Sequence, residues 1–172
     1  ERSKGKSFQI DRGLKVLDKE KTAAEIADIL GLAPLPLEGG MWAQTLKDKN
    51  STAIYYLLSK SNFSAMHSLK SVEVYHYYAG APAQMLLLNP AGKIEEPVLG
   101  SNLDSGHRPQ VIVEPGVWQG SRTTGEWTLL GTTMAPPYSQ EMFQLADREE
   151  LLKGWPDIRQ KIYELTRSDS DH

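Results

Sequence analysis

The stretch that decides the fold is FSAMHSLKSVEVYHYYAG, residues 63–80. Apolar and polar residues alternate in two short runs, Phe63–Leu69 and Val72–Tyr78, separated by a Lys-Ser pair. A period of two places successive side chains on opposite faces of an extended strand. The stretch therefore predicts two consecutive β-strands. Its histidines, glutamate and tyrosines also make it the first place to look for chemistry.

The same pattern extends from residue 41 to about residue 135. Short runs rich in Val, Ile, Tyr, Trp and Thr are separated by Gly, Pro, Asn and Asp, which favour turns. Besides the two runs above, the predicted strands are Met41–Leu46, Thr52–Leu58, Gln84–Leu88, Pro109–Val113, Val117–Thr123 and Trp127–Met134. Short strands without long helices between them predict an all-β sandwich or barrel rather than a parallel α/β sheet.

Helices are predicted only at the two ends of this region. Thr22 and Glu25 form a capping box before a short helix that ends near residue 30, and Asp147 with Glu150 repeats the pattern before two C-terminal helical segments. A chain of 172 residues corresponds to one domain. The predicted divisions are a flexible N-terminal arm over 1–21, a single domain over 22–166 and a polar tail over 167–172.

The composition argues against several classes of function. The chain has no cysteine, which excludes disulfides, thiolate metal sites and cysteine nucleophiles. A formal net charge of −3 at pH 7 argues against a nucleic acid polymer as partner, because such binding needs a basic face. Apolar runs are only a few residues long and no signal sequence is visible, so we expect a cytoplasmic protein without a membrane partner.

The first run contains a candidate catalytic histidine. Phe63, Ala65, His67 and Leu69 share the more apolar side of the strand, which predicts that all four point into the barrel. An imidazole has a pKa near 6.5, which suits reversible proton abstraction at neutral pH. The alternative is a structural histidine, which is the commoner role of a lone histidine in a β-protein.

The second run adds a carboxyl group and phenols. Glu73, Tyr75 and Tyr77 share one side of this strand, and His76 lies on the other, where a structural role or a subunit contact is expected. If Glu73 faces inward, a carboxylate, an imidazole and two phenols converge inside the barrel. A single β-bulge between residues 70 and 72 would reverse the two faces and point Glu73 outward.

These residues resemble the first motif of the cupin superfamily, G-x5-H-x-H-x3/4-E-x6-G. His67, Glu73 and Gly80 match its first histidine, its glutamate and its final glycine. The second motif, G-x5-P-x-G-x2-H-x3-N, is matched in part around Gly116, with Gln119 at the position of its histidine.

Further stretches extend the resemblance over residues 22–165. They are Pro36–Gly40, Thr52–Leu58, Pro109–Gln119, 128–136 and Phe143–Arg148. Together they are similar to a cupin family regarded as predicted sugar epimerases, distantly related to dTDP-4-dehydrorhamnose 3,5-epimerase. The resemblance implies a double-stranded β-helix, or jelly-roll, barrel that forms a homodimer. Its implied ligand is a small molecule, a sugar or a nucleotide sugar.

The resemblance also bears on metal binding. Metal-dependent cupins bind their ion with two histidines and the glutamate of the first motif and the histidine of the second. Here Leu69 and Gln119 stand at two of those positions, and only His67 and Glu73 remain. A stable divalent site usually has at least three protein ligands, so we expect no metal and no other cofactor. A divalent ion at His67 and Glu73, in a metal-dependent enzyme, is the alternative.

The resulting hypothesis is a metal-independent epimerase that abstracts a proton next to a carbonyl. His67 is the predicted base, Glu73 orients it, and a tyrosine returns the proton. The candidate acids are Tyr55, Tyr75, Tyr77 and Tyr138, and the sequence does not choose among them, although Tyr75 and Tyr77 are assigned with His67 and Glu73 to the catalytic set. The predicted ligand-binding residues are Tyr55, Leu69, Trp118, Gln119 and Tyr138. The competing hypothesis is a ligand-binding or structural cupin homodimer without turnover.

Overall fold

The computed structural model describes residues 20–167. The helices are α1 (Ala23–Leu30), α2 (Arg148–Gly154) and α3 (Arg159–Glu164), with 3-10 turns at Leu103–Ser105, Gln140–Met142 and Pro156–Ile158. None of the helices in these residues is long and apolar enough to span a bilayer. Most of the predicted arm and tail, residues 1–19 and 168–172, lies outside the described residues, and the division of the chain stays a prediction.

The predicted helix caps are present. The Thr22 hydroxyl accepts a hydrogen bond from the Glu25 amide at 3.2 Å, and the Glu25 carboxylate accepts one from the Thr22 amide at 2.7 Å. At the other end, the Asp147 carboxylate accepts a bond from the Glu150 amide at 2.9 Å. These bonds satisfy amides that have no partner within a first helical turn.

The strands follow the period-two pattern. They are β1 (Ala33–Pro34), β2 (Met41–Lys47), β3 (Thr52–Ser59), β4 (Ser64–Leu69), β5 (Glu73–Gly80), β6 (Ala83–Leu88), β7 (Ile94–Glu95), β8 (Val98–Leu99), β9 (Gln110–Val113), β10 (Trp118–Thr123), β11 (Trp127–Met134) and β12 (Phe143–Leu145). The first sheet has the order β1-β2-β3-β11-β5-β9, and the second has the order β12-β4-β10-β6-β7, with β8 paired to β6. The named strand pairs are antiparallel.

The inner faces of the two sheets share one core. Tyr56, Tyr75 and Leu130 of the first sheet pack with Met85 and Leu87 of the second. Two antiparallel sheets that interdigitate in this way bury their alternate residues between them. The predicted all-β jelly-roll barrel, with a short N-terminal helix and C-terminal helices, is confirmed.

The outer faces of the two sheets are covered unequally. Helices α2 and α3 cover the second sheet, where Met66 and Leu88 pack against Leu151 and Ile162. Helix α1 covers only one region of the first sheet, through Ile26 and Ala27 against Leu57. Tyr78 and Ile112 of the first sheet are 50% and 59% exposed. The homodimer stays a prediction.

A β-bulge in β4 changes which residues share its inner face. His67 pairs with Gln119 and Ser64 pairs with Ser121, so one extra residue of β4 lies between the two pairs. Ser64 therefore faces inward with His67, and its hydroxyl reaches Glu38 at 3.0 Å. Phe63 packs instead against the cluster beneath α2 and α3. The prediction that Phe63 shares the inner face of His67 is wrong.

Candidate functional site

A cavity of about 230 Å³ lies between the sheets at one end of the barrel. It is bounded by the start of β3 and β5, the end of β4 and β11, and the turn over residues 36–40. Two carboxylates line it, Glu38 and Glu73. Its aromatic side chains are Trp42, Tyr56, Tyr75, Tyr138 and Phe143. No Lys, Arg or His is among the described residues that line the cavity.

Glu73 is the first residue of β5 and points into the cavity, as predicted. It is only 6% exposed, and the Gln119 amide nitrogen donates a hydrogen bond to its Oε2 at 2.9 Å. Burial, followed by the charge of Glu38, raises the pKa of Glu73 from 4.5 to about 6. His67 and hydrogen bonds from Thr132 and Gln119 oppose that rise. Glu73 thus exchanges its proton close to neutral pH.

Glu38 is a second cavity carboxylate, which the sequence analysis missed. Its Oε1 accepts a hydrogen bond from the Ser64 hydroxyl at 3.0 Å and lies 3.7 Å from Nε2 of His67. It comes from a turn, in which Leu37 has a φ of 66° and Gly39 and Gly40 have φ of 92° and 74°. A strand periodicity cannot indicate where such a turn points its side chains.

The turn that contains Glu38 is stabilised by hydrogen bonds from a residue that follows the barrel in the chain. The Arg167 guanidinium donates hydrogen bonds to the carbonyls of Glu38 and Phe63, both at 2.9 Å. The same group lies 4.2 Å from the centre of the Phe63 ring, within cation–π range. The Ala65 amide donates a further bond to the Glu38 carbonyl at 2.7 Å. The carbonyl oxygen of Glu38 therefore accepts hydrogen bonds from two donors, which hold the backbone in place.

His67 points inward as predicted but lies behind the cavity wall. Its Nδ1 is 2.7 Å from the carbonyl oxygen of Ala65, which can only accept, so Nδ1 bears a proton and donates it. Its ring stacks on Phe143 with a centroid distance of 5.4 Å, and the residue is 1% exposed. The remaining nitrogen faces Glu38. The imidazole is placed to orient Glu38 rather than to touch a ligand.

Tyr75 and Tyr138 line the cavity, as predicted for site residues. Burial, and then the charge of Glu73, raises the pKa of Tyr75 well above its usual value. Burial, and then the charges of Glu38 and Glu73, also raises the pKa of Tyr138. Both phenols consequently keep their protons at neutral pH and can act as donors.

The structure corrects the placement of two other tyrosines. Tyr77 packs at the other end of the core, and its hydroxyl donates to the Gly80 carbonyl at 2.5 Å. Tyr55 lies on the outer face of the first sheet, packed beneath α1 and edge-on to Tyr78. Tyr56 lines the cavity instead, with its hydroxyl donating to the Gly39 carbonyl at 2.7 Å.

The remaining predicted ligand-binding residues divide between the two sides of the barrel. Leu69 lines the cavity. Gln119 is 1% exposed beside Glu73, and its Oε1 has no hydrogen-bond partner within the described chain. Trp118 packs on the outer side against the cluster beneath α2 and α3, so it does not form a cavity wall. Trp42 supplies the indole of the cavity.

His76 lies on the opposite side of β5 from Glu73, as the strand parity predicts. Its Nε2 is 2.9 Å from the Thr133 hydroxyl, and its Nδ1 is 3.3 Å from the Gln110 side-chain nitrogen. Its ring lies parallel to that of Tyr78. His76 therefore belongs to the outer surface of the first sheet, and its role in a subunit contact stays a prediction.

The cavity residues do not fit the divalent ion that the resemblance implies for metal-dependent relatives. Leu69 places a hydrocarbon where the second histidine would stand, and the Gln119 amide donates to the carboxylate that would ligate the ion. Within residues 20–167 no group of three or more His, Asp or Glu side chains is arranged to hold a metal.

Comparison with known proteins places the chain among cupins. The model of the family described as Cupin superfamily (DUF985) matches residues 24–146, although this description includes no epimerase activity. None of the curated proteins is significantly similar in sequence to this chain.

Solved structures show the same barrel. Protein SO0799 from Shewanella oneidensis is 25% identical, with a TM-score of 0.82 over 87% of this chain and 100% of its own. A hypothetical protein from Leishmania major is 21% identical, with a TM-score of 0.77 over 86% of this chain and 100% of its own. A cupin 2 conserved barrel domain protein from Rhodopseudomonas palustris is 15% identical, with a TM-score of 0.56 over 80% and 92%. The last two likenesses establish the fold alone.

Proposed function

This chain belongs to the family Cupin superfamily (DUF985). We propose, from the chemistry of its cavity, that the cavity is the active site of a metal-independent isomerase. The reaction class is proton transfer at a carbon next to a carbonyl, as in sugar epimerisation. The observation that supports it is Glu73, a buried carboxyl with a pKa of about 6 in a cavity that also holds neutral phenols. A base whose pKa lies near the working pH is efficient at reversible proton transfer.

Glu73 takes the role of base in this proposal. The C–H bond next to the substrate carbonyl breaks, its proton moves to the Glu73 carboxylate, and its electron pair shifts to the carbonyl oxygen. The Tyr75 phenol donates a hydrogen bond to that oxygen, where negative charge develops. Tyr138 gives its proton to the carbon from another direction, and the Glu73 proton returns to Tyr138 through solvent. The product differs from the substrate only in the configuration at that carbon.

His67 becomes a positioning residue in this scheme. Its Nδ1 is fixed on the Ala65 carbonyl and its Nε2 faces Glu38, so it keeps the second carboxylate in place. The base predicted from the sequence is thus replaced by its predicted partner. We also favour a small sugar-like substrate over a nucleotide sugar, because no described lining residue is a cation that could bind a diphosphate.

Solvent deuterium exchange tests the proposal. The purified protein is incubated in D2O with a panel of neutral aldoses and ketoses, and proton NMR follows deuterium at the carbon next to the carbonyl. We expect exchange into at least one sugar, with a pH dependence that rises through about pH 6. Glu73→Gln should reduce the rate at least 100-fold, a loss in the range of about 10² to 10⁴ that general base catalysis supplies.

The matched control is Tyr55→Phe, because Tyr55 lies outside the barrel in the same strand as the cavity residue Tyr56. This variant should exchange at the wild-type rate. If Glu73→Gln retained full exchange, the assigned base would be wrong. If no sugar of the panel exchanged, the proposal of turnover on this substrate class would fail.

A further inference from the structure

We infer that the cavity binds an organic cation, with a protonated amine or quaternary ammonium group held between Glu38, Glu73 and the aromatic rings of the wall. The inference names the ligand class of the cavity proposed above as the active site. It rests on that cavity being a ligand site and does not require turnover.

The cavity carries more negative than positive charge. Glu38 and Glu73 both line the cavity, and among residues 20–167 neither has a Lys or Arg within ion-pair distance. Arg167, the nearby cation, donates to the backbone carbonyl of Glu38 and not to its carboxylate. Opposite charges attract more strongly in a desolvated site than in water. The one basic side chain of the described residues in ion-pair range is the His67 imidazole, 3.7 Å from Glu38, so a cationic ligand supplies counter-charge for the second carboxylate and an anionic ligand is repelled.

The wall of the cavity is rich in aromatic rings. Trp42, Tyr56, Tyr75, Tyr138 and Phe143 line the same cavity as the two carboxylates. The face of an aromatic ring carries partial negative charge and attracts an ammonium group, most strongly when the group is desolvated. Rings also bury the methyl or methylene groups of such a cation. A ring cluster with carboxylates thus matches an alkylammonium or an amino sugar better than a neutral polyol.

Beside Glu73 lies a hydrogen-bond acceptor without a donor. Oε1 of Gln119 is buried and has no partner among the described residues, while Nε2 of the same amide is committed to Glu73. A buried acceptor left without a hydrogen bond costs free energy. A protonated amine bears N–H donors and no acceptor, so it suits an acceptor beside Glu73, whereas a quaternary ammonium group has no N–H and interacts through the carboxylates and the rings alone. The Gln119 oxygen is thus a third acceptor next to Glu73, although Gln119 itself is not among the described residues that line the cavity.

The volume limits what is buried. A cavity of about 230 Å³ holds roughly eight groups of water size, at about 30 Å³ each. The buried part is therefore a small headgroup that bears the charge.

Two pairs of probes that differ in charge test this inference by isothermal titration calorimetry. The first pair is choline and the neutral isostere 3,3-dimethyl-1-butanol, and the second is glucosamine and glucose. We expect the cation of at least one pair to bind about ten-fold or more tightly than its neutral partner, and this preference to weaken with added salt. Equal affinity within both pairs overturns the inference, as does failure of both cations to bind at millimolar concentration.

Matched variants assign the preference to the cavity. Glu38→Gln should weaken the preference for the cation, because Glu73 and the rings remain, and leave the affinity of the neutral partner unchanged. The control is Glu126→Gln. Glu126 is an exposed carboxylate that forms an ion pair with Lys60, which is distant from it in the sequence. If Glu38→Gln does not fold, as judged by its circular dichroism, Glu73→Gln serves as the second variant. A preference that stays at its wild-type size in a folded cavity variant overturns the assignment.

The outcomes separate this inference from the proposed function. Cation preference without deuterium exchange would remove the proposed turnover and keep the ligand class. Exchange into neutral sugars without cation preference would remove the ligand class and keep the reaction.

Discussion

The two ends of the barrel interior have opposite characters although the same strands build both. At one end, Glu73, Tyr75 and Thr132 surround a cavity, and at the other, Leu58, Leu99 and Leu130 are packed with no exposed surface. On β11 only Gly131 lies between Leu130 and Thr132. Below, the first end is called the cavity end and the second the packed end.

The difference shows how one small barrel separates stability from chemistry. The packed end removes apolar side chains from water, which is the main favourable contribution to folding. The cavity end buries the Glu73 carboxylate and an amide oxygen without a partner, and partly buries the Glu38 carboxylate, and each of these opposes folding. Sites of this kind are retained for function at a cost in stability. The predictions below test whether the two ends behave as separately as this comparison implies.

The largest effect is expected at the packed end. Leu130→Ala removes a fully buried side chain between the sheets and should lower the free energy of unfolding by about 2–5 kcal/mol. Urea denaturation measures it. Leu103→Ala is the control, because Leu103 is 61% exposed and its loss should change stability by less than about 0.5 kcal/mol. A loss below about 1 kcal/mol for Leu130→Ala would contradict tight packing at this end.

A second effect, of opposite sign, is expected at the cavity end. The pKa of Glu73 is raised from 4.5 to about 6 in the folded protein, so the folded state binds this proton more tightly than the unfolded state. Binding of this proton stabilises the folded state fully below about pH 4.5, and the stabilisation is lost as the pH rises through about 6. The loss in the free energy of unfolding is about 2 kcal/mol. Glu73→Gln removes this loss.

We therefore expect the free energy of unfolding of Glu73→Gln to rise relative to that of the wild type by up to about 2 kcal/mol as the pH increases from 4 to 8. Urea denaturation of both proteins across this range measures the difference, with Glu126→Gln as a surface control that should show no such trend. A difference between Glu73→Gln and the wild type that does not change with pH would show that Glu73 has an ordinary pKa.

The fold could be predicted from the sequence because each long strand has one face in the core. All of the predicted strands are present, with bounds shifted by at most two residues. The short strands β1, β7, β8 and β12 were not predicted. Each has two or three residues, too few to establish a period of two.

The site could be predicted only in part, and alternation failed where both faces of a strand are covered. Tyr55 packs beneath α1 while Tyr56 faces the cavity, so both look apolar and the sequence does not choose between them. Trp118 was misplaced for the same reason, because α2 and α3 cover its side of the second sheet. Glu38 was missed because a turn with positive φ at Leu37 points it inward. Its one signal was the Pro36–Gly40 stretch, read as a family match and not as a site.

The smallest effect tests whether a contact outside the barrel acts on the cavity end alone. Arg167→Met removes the bonds to the carbonyls of Glu38 and Phe63 and should cost about 1 kcal/mol, because the guanidinium is only partly buried. With the turn loosened, the Ala65 amide, which donates to the Glu38 carbonyl, should exchange its proton faster, and choline should bind a few-fold more weakly. Amide exchange followed by NMR should be unchanged at the packed end.

Arg122→Met is the control, since Arg122 forms an exposed ion pair with Glu164 at 3.2 Å and such pairs contribute little. Faster exchange at both ends would show that the barrel opens as one unit, and the separation between its ends would then be one of composition and not of stability.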